Sequence, residues 1–299
     1  MDFNRIIYSQ KNRLINNQKG EIMKKFLTLL VTAILAVTCA FGLTACGDEQ
    51  QTNEKTLYVY TNAGFAPYEY IDSKTGAVTG VDIEIMKEIG NVLGYKVVVK
   101  DIDFGQILVE VGKSEFAVGA AGMTKTAERD EIALPSISYA TSIQYVIAKK
   151  DALDSKVVDG KVPVSALADL KIGTQEATTG FYLIDEAVHG YDEDGQHVEG
   201  ELESSDATVR EYQNAIVASR DIANGGIDVV VIDKLPAESI AAGNETFEIY
   251  ELDAEPESYV LYFNLNATEL RDAANNVLKV MIENGVINYF TIKHSGGIV

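Results

Sequence analysis

Phe116-Ala117-Val118-Gly119-Ala120-Ala121-Gly122-Met123-Thr124-Lys125-Thr126-Ala127-Glu128-Arg129 is the stretch from which the rest of this chain is best read. Phe116–Gly119 has the character of a strand, and it runs into small residues that let another molecule approach the backbone closely. A hydroxyl at Thr124 and a guanidinium at Arg129 follow. Such a guanidinium can grip a carboxylate with two parallel hydrogen bonds. An ordinary strand-to-helix turn with a surface arginine has the same composition, so the flanking sequence has to separate the two.

Upstream, Leu57–Tyr60 reads as a strand leading into an aromatic-rich loop, Thr61–Tyr70, and Asp72–Gly76 is turn chemistry. Apolar positions 81, 85, 86, 89, 92 and 93 follow a helical period, and Gly94 stands where a C-cap glycine belongs. Lys96–Lys100 is a second strand, and Phe104–Val111 is predicted as a shorter helix.

Downstream, Ile143–Ala148 and Leu170–Gly173 are strands. Thr174-Gln175-Glu176-Ala177-Thr178-Thr179-Gly180 then opens a helix running toward Ala187. His189–Asp206 is acidic, lacks an apolar period and is predicted as a surface loop. Tyr212, Ala215, Ile216, Ser219, Ile222 and Ala223 form a helical stripe ending at Asn224-Gly225-Gly226. Asp228–Asp233 is a buried-type strand that ends in a carboxylate; a helix over Lys234–Ala242 and strands over Phe247–Leu252 and Tyr259–Leu265 follow. A last amphipathic stripe, Leu270 to Ile282, stops at Gly285. This alternation predicts an α/β fold whose mostly parallel sheets are flanked by helices.

In open parallel sheets, ligands sit beyond the carboxyl ends of strands. Three polar clusters fall at such ends: Gly122–Arg129, Thr174–Thr179 and Asp233. Arg129, Thr124 and the N–H groups at a helix start near Thr179 suit a carboxylate. Asp233 and the Gly122 carbonyl suit an ammonium. The two together describe an α-amino acid.

Before this region, Met23-Lys24-Lys25, the apolar run Phe26–Ala40 and Leu43-Thr44-Ala45-Cys46 have the charged, apolar and small-residue order of a secretory signal peptide. The apolar core is short for a membrane span. Residues 1–22 look like neither a signal nor a domain, and Met23 reads as the true start. Residues 46–55 read as a polar tether.

The two cysteines, Cys39 and Cys46, both lie in the signal region, so the exported domain has no disulfide or thiolate metal site to draw on. It has to stand on a packed core. The full chain carries a net charge of −20. Most of residues 1–45's charges are basic, so the mature chain is more acidic still, about −24. That argues against nucleic acid, or a polybasic grip on anionic lipid, as a partner.

From about Thr56 to Phe290 the chain resembles the bacterial extracellular solute-binding proteins of family 3, the amino-acid-binding proteins of ABC importers. The resemblance lies in Phe65-Ala66-Pro67-Tyr68-Glu69-Tyr70, Thr79-Gly80-Val81-Asp82, Ala121-Gly122-Met123-Thr124 with Glu128-Arg129, Gly173-Thr174-Gln175 with Thr178-Thr179-Gly180, and Asp228–Asp233. Leu43–Cys46 likewise resembles the bacterial lipobox, in which the cysteine, here Cys46, is lipidated. The lipoprotein signal peptide would then be residues 23–45.

The resemblance implies a two-lobed, periplasmic-binding-protein-like type II fold. Lobe 1 would take 56–138 and 260–299 and lobe 2 144–254, with hinges near 139–143 and 255–259. It implies that Arg129 and Thr124, with the N–H at Thr179, hold the ligand carboxylate, and that Asp233, the Gly122 carbonyl and Thr178 hold the ammonium. Phe65 and Phe104 would sandwich the side chain, and Asn62 and Gln175 would read its far end. Because both are uncharged, they point to a polar neutral side chain. Asp82 and Asp228 are read as helix or turn caps, and His189, His197 and His294 as surface residues without metal-ligand spacing.

Partners implied are a free amino acid, the permease subunits and, through Cys46, the outer face of the bilayer; the protein would be a monomer without cofactor. Two alternatives stay open: an enzyme of the same fold, such as a cyclohexadienyl dehydratase using Glu176 as an acid, or a ligand sensor acting in trans. The chain departs from the family pattern in three places. Pro135-Ser136-Ile137-Ser138-Tyr139 replaces Phe-Ser-x-Pro-Tyr, Ala177 stands where glycine is common, and no tryptophan closes the last helix.

Overall fold

The computed structural model describes residues 55–296. The signal region, Cys46 and most of the tether lie outside the described residues.

Strand β1 (Lys55–Thr61) leads through the aromatic loop to α1 (Val81–Leu93) and β2 (Tyr95–Asp101). Ile85, Met86 and Ile89 of α1 are fully buried against the sheet. Burying each of these side chains is worth about 1.5–3 kcal/mol. Gly94 closes the helix in the left-handed conformation, at φ 74°, which glycine adopts without steric cost. A 3-10 turn, Phe104–Gln106, precedes α2 (Ile107–Val111), where a single helix was expected. Then come β3 (Ala117–Gly119), α3 (Ala127–Ile132) and the short β4 (Leu134–Pro135).

The chain crosses to the second lobe through β5 (Ala140–Ser142). That lobe contains β6 (Gln144–Lys149), β7 (Lys171–Gln175), α4 (Thr179–His189), β8 (Thr208–Tyr212), α5 (Ala215–Asn224), β9 (Val229–Asp233), α6 (Lys234–Ala242) and β10 (Phe247–Glu251). It returns through β11 (Glu257–Tyr259), which pairs antiparallel with β5. The first lobe is completed by β12 (Tyr262–Phe263), α7 (Thr268–Glu283) and α8 (Val286–His294).

The two sheets have the same plan. Their strand orders are β2-β1-β3-β12-β4 and β8-β7-β9-β6-β10. In each, the first sheet strand after a crossing runs against the other four: β12 is antiparallel to β3 and β4, and β6 to β9 and β10. The mostly parallel expectation holds for the rest.

Three local expectations need correcting. Tyr212 ends strand β8 and does not belong to α5, whose N-cap is Asn214, its side chain accepting from Val217 N at 3.0 Å. The segment 189–206 contains a small antiparallel hairpin, Tyr191–Glu193 with Gln196–Val198. The run predicted as one strand from Tyr259 is two, because the chain turns at Val260-Leu261 from the hinge into the first sheet. The expected stop at Gly285 holds: α7 ends just before it, and α8 follows at once and buries Val286, Ile287 and Phe290.

Candidate functional site

The carboxyl ends of β1, β2, β3, β7 and β9 meet where the lobes face each other, around a narrow cavity of about 20 Å³. Most of the residues singled out from the sequence are on its wall: Phe65, Phe104, Gly122, Thr124 and Arg129 from the first lobe, and Gln175, Thr178, Thr179 and Asp233 from the second. Asn62 is buried just behind the wall and reaches Gln175. Two wall residues were missed, Ala121 and Glu69.

Arg129 is held by its own turn and by the opposite lobe. Its Nη1 donates to Thr124 O at 2.7 Å, and its Nη2 to Ala177 O across the cleft at 3.2 Å. The guanidinium lies 5.4 Å from the Phe104 ring centroid, so that ring face is shared with Arg129. Burial draws the arginine pKa down, but a guanidinium stays charged in a folded protein. Of its five N–H donors, those not used in these two bonds remain for an anion. Ala177 has φ 58°, the left-handed backbone that explains why glycine suits this position.

Gly122 sits at φ 54°, and a Cβ there would come within 2.7 Å of the Phe65 ring. Its N–H donates to Asp82 Oδ2 at 2.8 Å. The hydroxyls of Thr124 and Thr179 are committed to the hinge: both donate to Glu257 Oε2, from Thr179 at 2.8 Å. Gln144 Nε2 holds the other Glu257 oxygen at 2.8 Å. Thr178 is the N-cap of α4, accepting from Phe181 N at 3.2 Å and donating to Gln175 O at 2.7 Å. Its hydroxyl proton is thereby used, leaving only lone pairs toward the cavity.

Asp233 ends β9 and accepts from Tyr259 OH at 2.5 Å and from Gln144 Nε2 at 3.3 Å. Burial, and after it the charge of Glu257, pushes its pKa up to about 7. Glu257, Gln144 and Tyr259 gave no signal in the sequence. Glu257 lies in an acidic run that reads as a solvated face.

A sequence model of the bacterial extracellular solute-binding proteins, family 3, matches residues 57–296. The chain belongs to this family. Among the relatives of this family 3 protein is the arginine-binding extracellular protein ArtP of Bacillus subtilis, 28% identical over 88% of this chain and 94% of that protein. The L-cystine-binding protein TcyA of the same organism is 26% identical over 92% of this chain and 98% of its own length. Among solved structures, the ancestral amino acid-binding protein AncCDT-1, described as a precursor of cyclohexadienyl dehydratase, superposes with a TM-score of 0.66. It is 26% identical and covers 80% of this chain and 95% of that one. Among the described residues of this family 3 protein, no helix is long and apolar enough to cross a membrane.

Behind the site, Asp82 is not the helix cap that was expected. It is fully buried and joins the turn at Gly122 to the hinge, accepting from Gly122 N and, with both oxygens, from Tyr139 OH at 2.7 Å. Asp228 is not a turn cap either: its side chain accepts from Lys171 N, at the start of β7, at 2.8 Å. His294 is not a surface residue. Its side chain is 5% exposed, with Nδ1 3.0 Å from Tyr70 OH.

Burial raises the Asp82 pKa to about 6, so Asp82 and Asp233 share one sign of linkage. Each binds its proton more tightly folded than unfolded, so each contributes stability that is complete below the ordinary carboxylate range. That stability is lost as pH rises through about 6 and about 7. For Asp82 this contribution is on the order of 3 kcal/mol. Glu84, drawn down to about 2 mainly by its hydrogen bond to His294, acts oppositely and loses its contribution as pH falls below about 4.5. Thermal melts of the ligand-free protein are therefore expected to peak near pH 4 and to fall as pH rises to about 7. A flat or rising profile over that interval would contradict the assignment.

Proposed function

We propose that this protein captures a free α-amino acid between its lobes and delivers it to the permease of an ABC importer. The observation that carries the reading is the opposition of charges across one cavity. Arg129 on the first lobe has unused N–H donors, and Asp233 and the N-terminus of α4 face it from the second. A helix start leaves its first N–H groups without intrahelical partners, so the α-carboxylate would be taken by Arg129 and those groups. The α-ammonium would be taken by Asp233 and the Gly122 carbonyl. Each lobe supplies part of each grip, so the ligand favours the closed arrangement by differential affinity.

The protein acts by binding alone, as a monomer, held at the outer face of the membrane through lipidated Cys46; mass spectrometry of the membrane-extracted N-terminal peptide reads that attachment. The domain plan supporting this is lobe 1 at 56–138 and 260–299 and lobe 2 at 144–254. The relatives named for arginine and L-cystine binding support an amino acid as cargo.

A thermal-shift screen over the twenty amino acids plus L-cystine tests this. Saturating ligand at about 100 times its Kd adds about 2.7 kcal/mol to stability, which is a rise of several degrees. A melting curve that none of these ligands moves would remove the reading. Turnover of prephenate or arogenate would instead make the cleft an active site.

A further inference from the structure

Resting on the amino-acid reading, we infer that Glu257 is a positioning residue for capture. Its carboxylate, on the returning hinge strand, ties Thr179 of the second lobe to Thr124 of the first. It thereby favours the closed arrangement without touching the ligand.

The backbone around Glu257 goes with the first lobe. Lys125 N donates to Ser258 O at 2.8 Å, Val260 N donates to Met123 O at 3.0 Å, and Thr124 pairs with Tyr259 as an isolated bridge. Strand β11 is thus stitched to the turn that carries Thr124 and Arg129. The Glu257 side chain leaves that stitch and reaches across. Its Oε2 accepts from the hydroxyl of Thr124 and, at 2.8 Å, from that of Thr179. Its Oε1 accepts at 2.8 Å from Gln144 Nε2, which also reaches Asp233 at 3.3 Å. Gln144 starts β6, close to the crossing, whereas Thr179 opens α4 in the body of the second lobe. The bond to Thr179 is therefore the one that parting the lobes must break. It is also well placed electrostatically, because the first turn of a helix favours a carboxylate, and hydrogen bonds to an ionised acceptor are roughly twice as strong as neutral ones.

The proton count on the two threonines separates this role from direct contact. A hydroxyl has one proton to give, and both protons are spent on Glu257. Neither side chain then has a donor left for a ligand carboxylate. The Thr124 hydroxyl, expected to hold that carboxylate, serves the hinge acid instead. Glu257 itself is not on the cavity wall: it faces a separate groove on the hinge side, which shares only Thr124 and Thr179 with the ligand cavity. A tie made of the chain's own atoms acts whether or not ligand is bound. It raises the fraction of molecules in the binding-competent arrangement, and apparent affinity scales with that fraction.

Spin labels at Lys113→Cys and Arg220→Cys, exposed positions on the first and second lobes, read the separation of the lobes by electron–electron resonance. Stopped-flow binding of L-arginine and L-cystine reads the rates. In Glu257→Ala the ligand-free distances are expected to shift toward longer values, and saturating probe should restore the short one. Affinity should fall by about tenfold, carried by faster dissociation, with association changed by less than about threefold. Glu257→Gln keeps one acceptor oxygen for the hydroxyls, should fall between, and serves if the alanine variant folds poorly. Thr179→Val cuts the same tie, so adding Glu257→Ala to it should cost less than the two single effects combined. Unchanged ligand-free distances in Glu257→Ala, additive losses in the double variant, or tighter binding without the acid would each overturn the inference. Should neither probe bind, the amino-acid reading loses its support, while the ligand-free distances still decide the tie.

Discussion

Replacing Arg129 by alanine is expected to weaken amino-acid binding by about a hundredfold to a thousandfold while leaving the fold intact. Hydrogen bonds to charged groups contribute roughly 1.5–3 kcal/mol each, and a guanidinium gripping a carboxylate makes two in parallel. The existing contacts of Arg129 show why the effect is concentrated there. One bond to Thr124 O fixes its orientation within its own turn, and one to Ala177 O reaches the other lobe. The remaining donors are therefore pre-aimed, so little ordering entropy is lost on binding. The main first-lobe core, built from buried residues such as Leu57, Val59, Ile85 and Phe263, does not include it, and its contact with the smaller core cluster is the face of the Phe104 ring. Calorimetry reads the affinity and a thermal melt the fold. Arg129→Lys keeps the charge but loses the planar fork, and should fall between the two. Near-wild-type affinity in Arg129→Ala would take the carboxylate grip away from this residue.

The legible parts of this protein are those where local pattern and tertiary role coincide. α1 and α7 each bury one apolar stripe, so their period alone locates them, and Asp228–Asp233 reads as a strand because all of Val229–Asp233 is buried. Arg129, Thr124, Thr179 and Asp233 were legible because each follows the carboxyl end of a strand, where a parallel sheet places its ligands.

What escaped did so for physical reasons. Strand β8 lies at the edge of its sheet with mostly exposed side chains, so it lacks an apolar signature, and Tyr212 falls in register with the helix that follows. From Tyr259 to Phe263 every residue is fully buried, so composition gives no hint of the turn between hinge and sheet. Glu69 is an acid in a loop, ordinarily a solvated position. It faces inward because the loop folds back on itself, with the N–H groups of Gly64 and Phe65 both donating to Glu69 O. No period or motif encodes that reversal.

Replacing Asp233 by asparagine is expected to move affinity and stability in opposite directions at pH 8. Affinity should fall by about a hundredfold, because the ligand's ammonium loses its charged partner. The ligand-free protein should become more stable. In the wild type, deprotonation above about pH 7 places a buried charge beside Glu257, and asparagine removes both the desolvation cost and the repulsion. Against that, the amide must keep its oxygen for Tyr259 OH and turn its NH2 toward Gln144 Nε2, losing the 3.3 Å bond, a loss of about 1 kcal/mol. The net gain at pH 8 is therefore on the order of 2 kcal/mol. It should disappear near pH 5, where wild-type Asp233 is protonated in the folded state and carries no buried charge. Melts at the two pH values, beside calorimetry, separate the possibilities. A residue that merely held the fold together would lower stability and affinity together when replaced. One that keeps a buried charge for its ligand gives up stability while the cavity is unfilled, and only such a residue produces opposite signs in the two measurements.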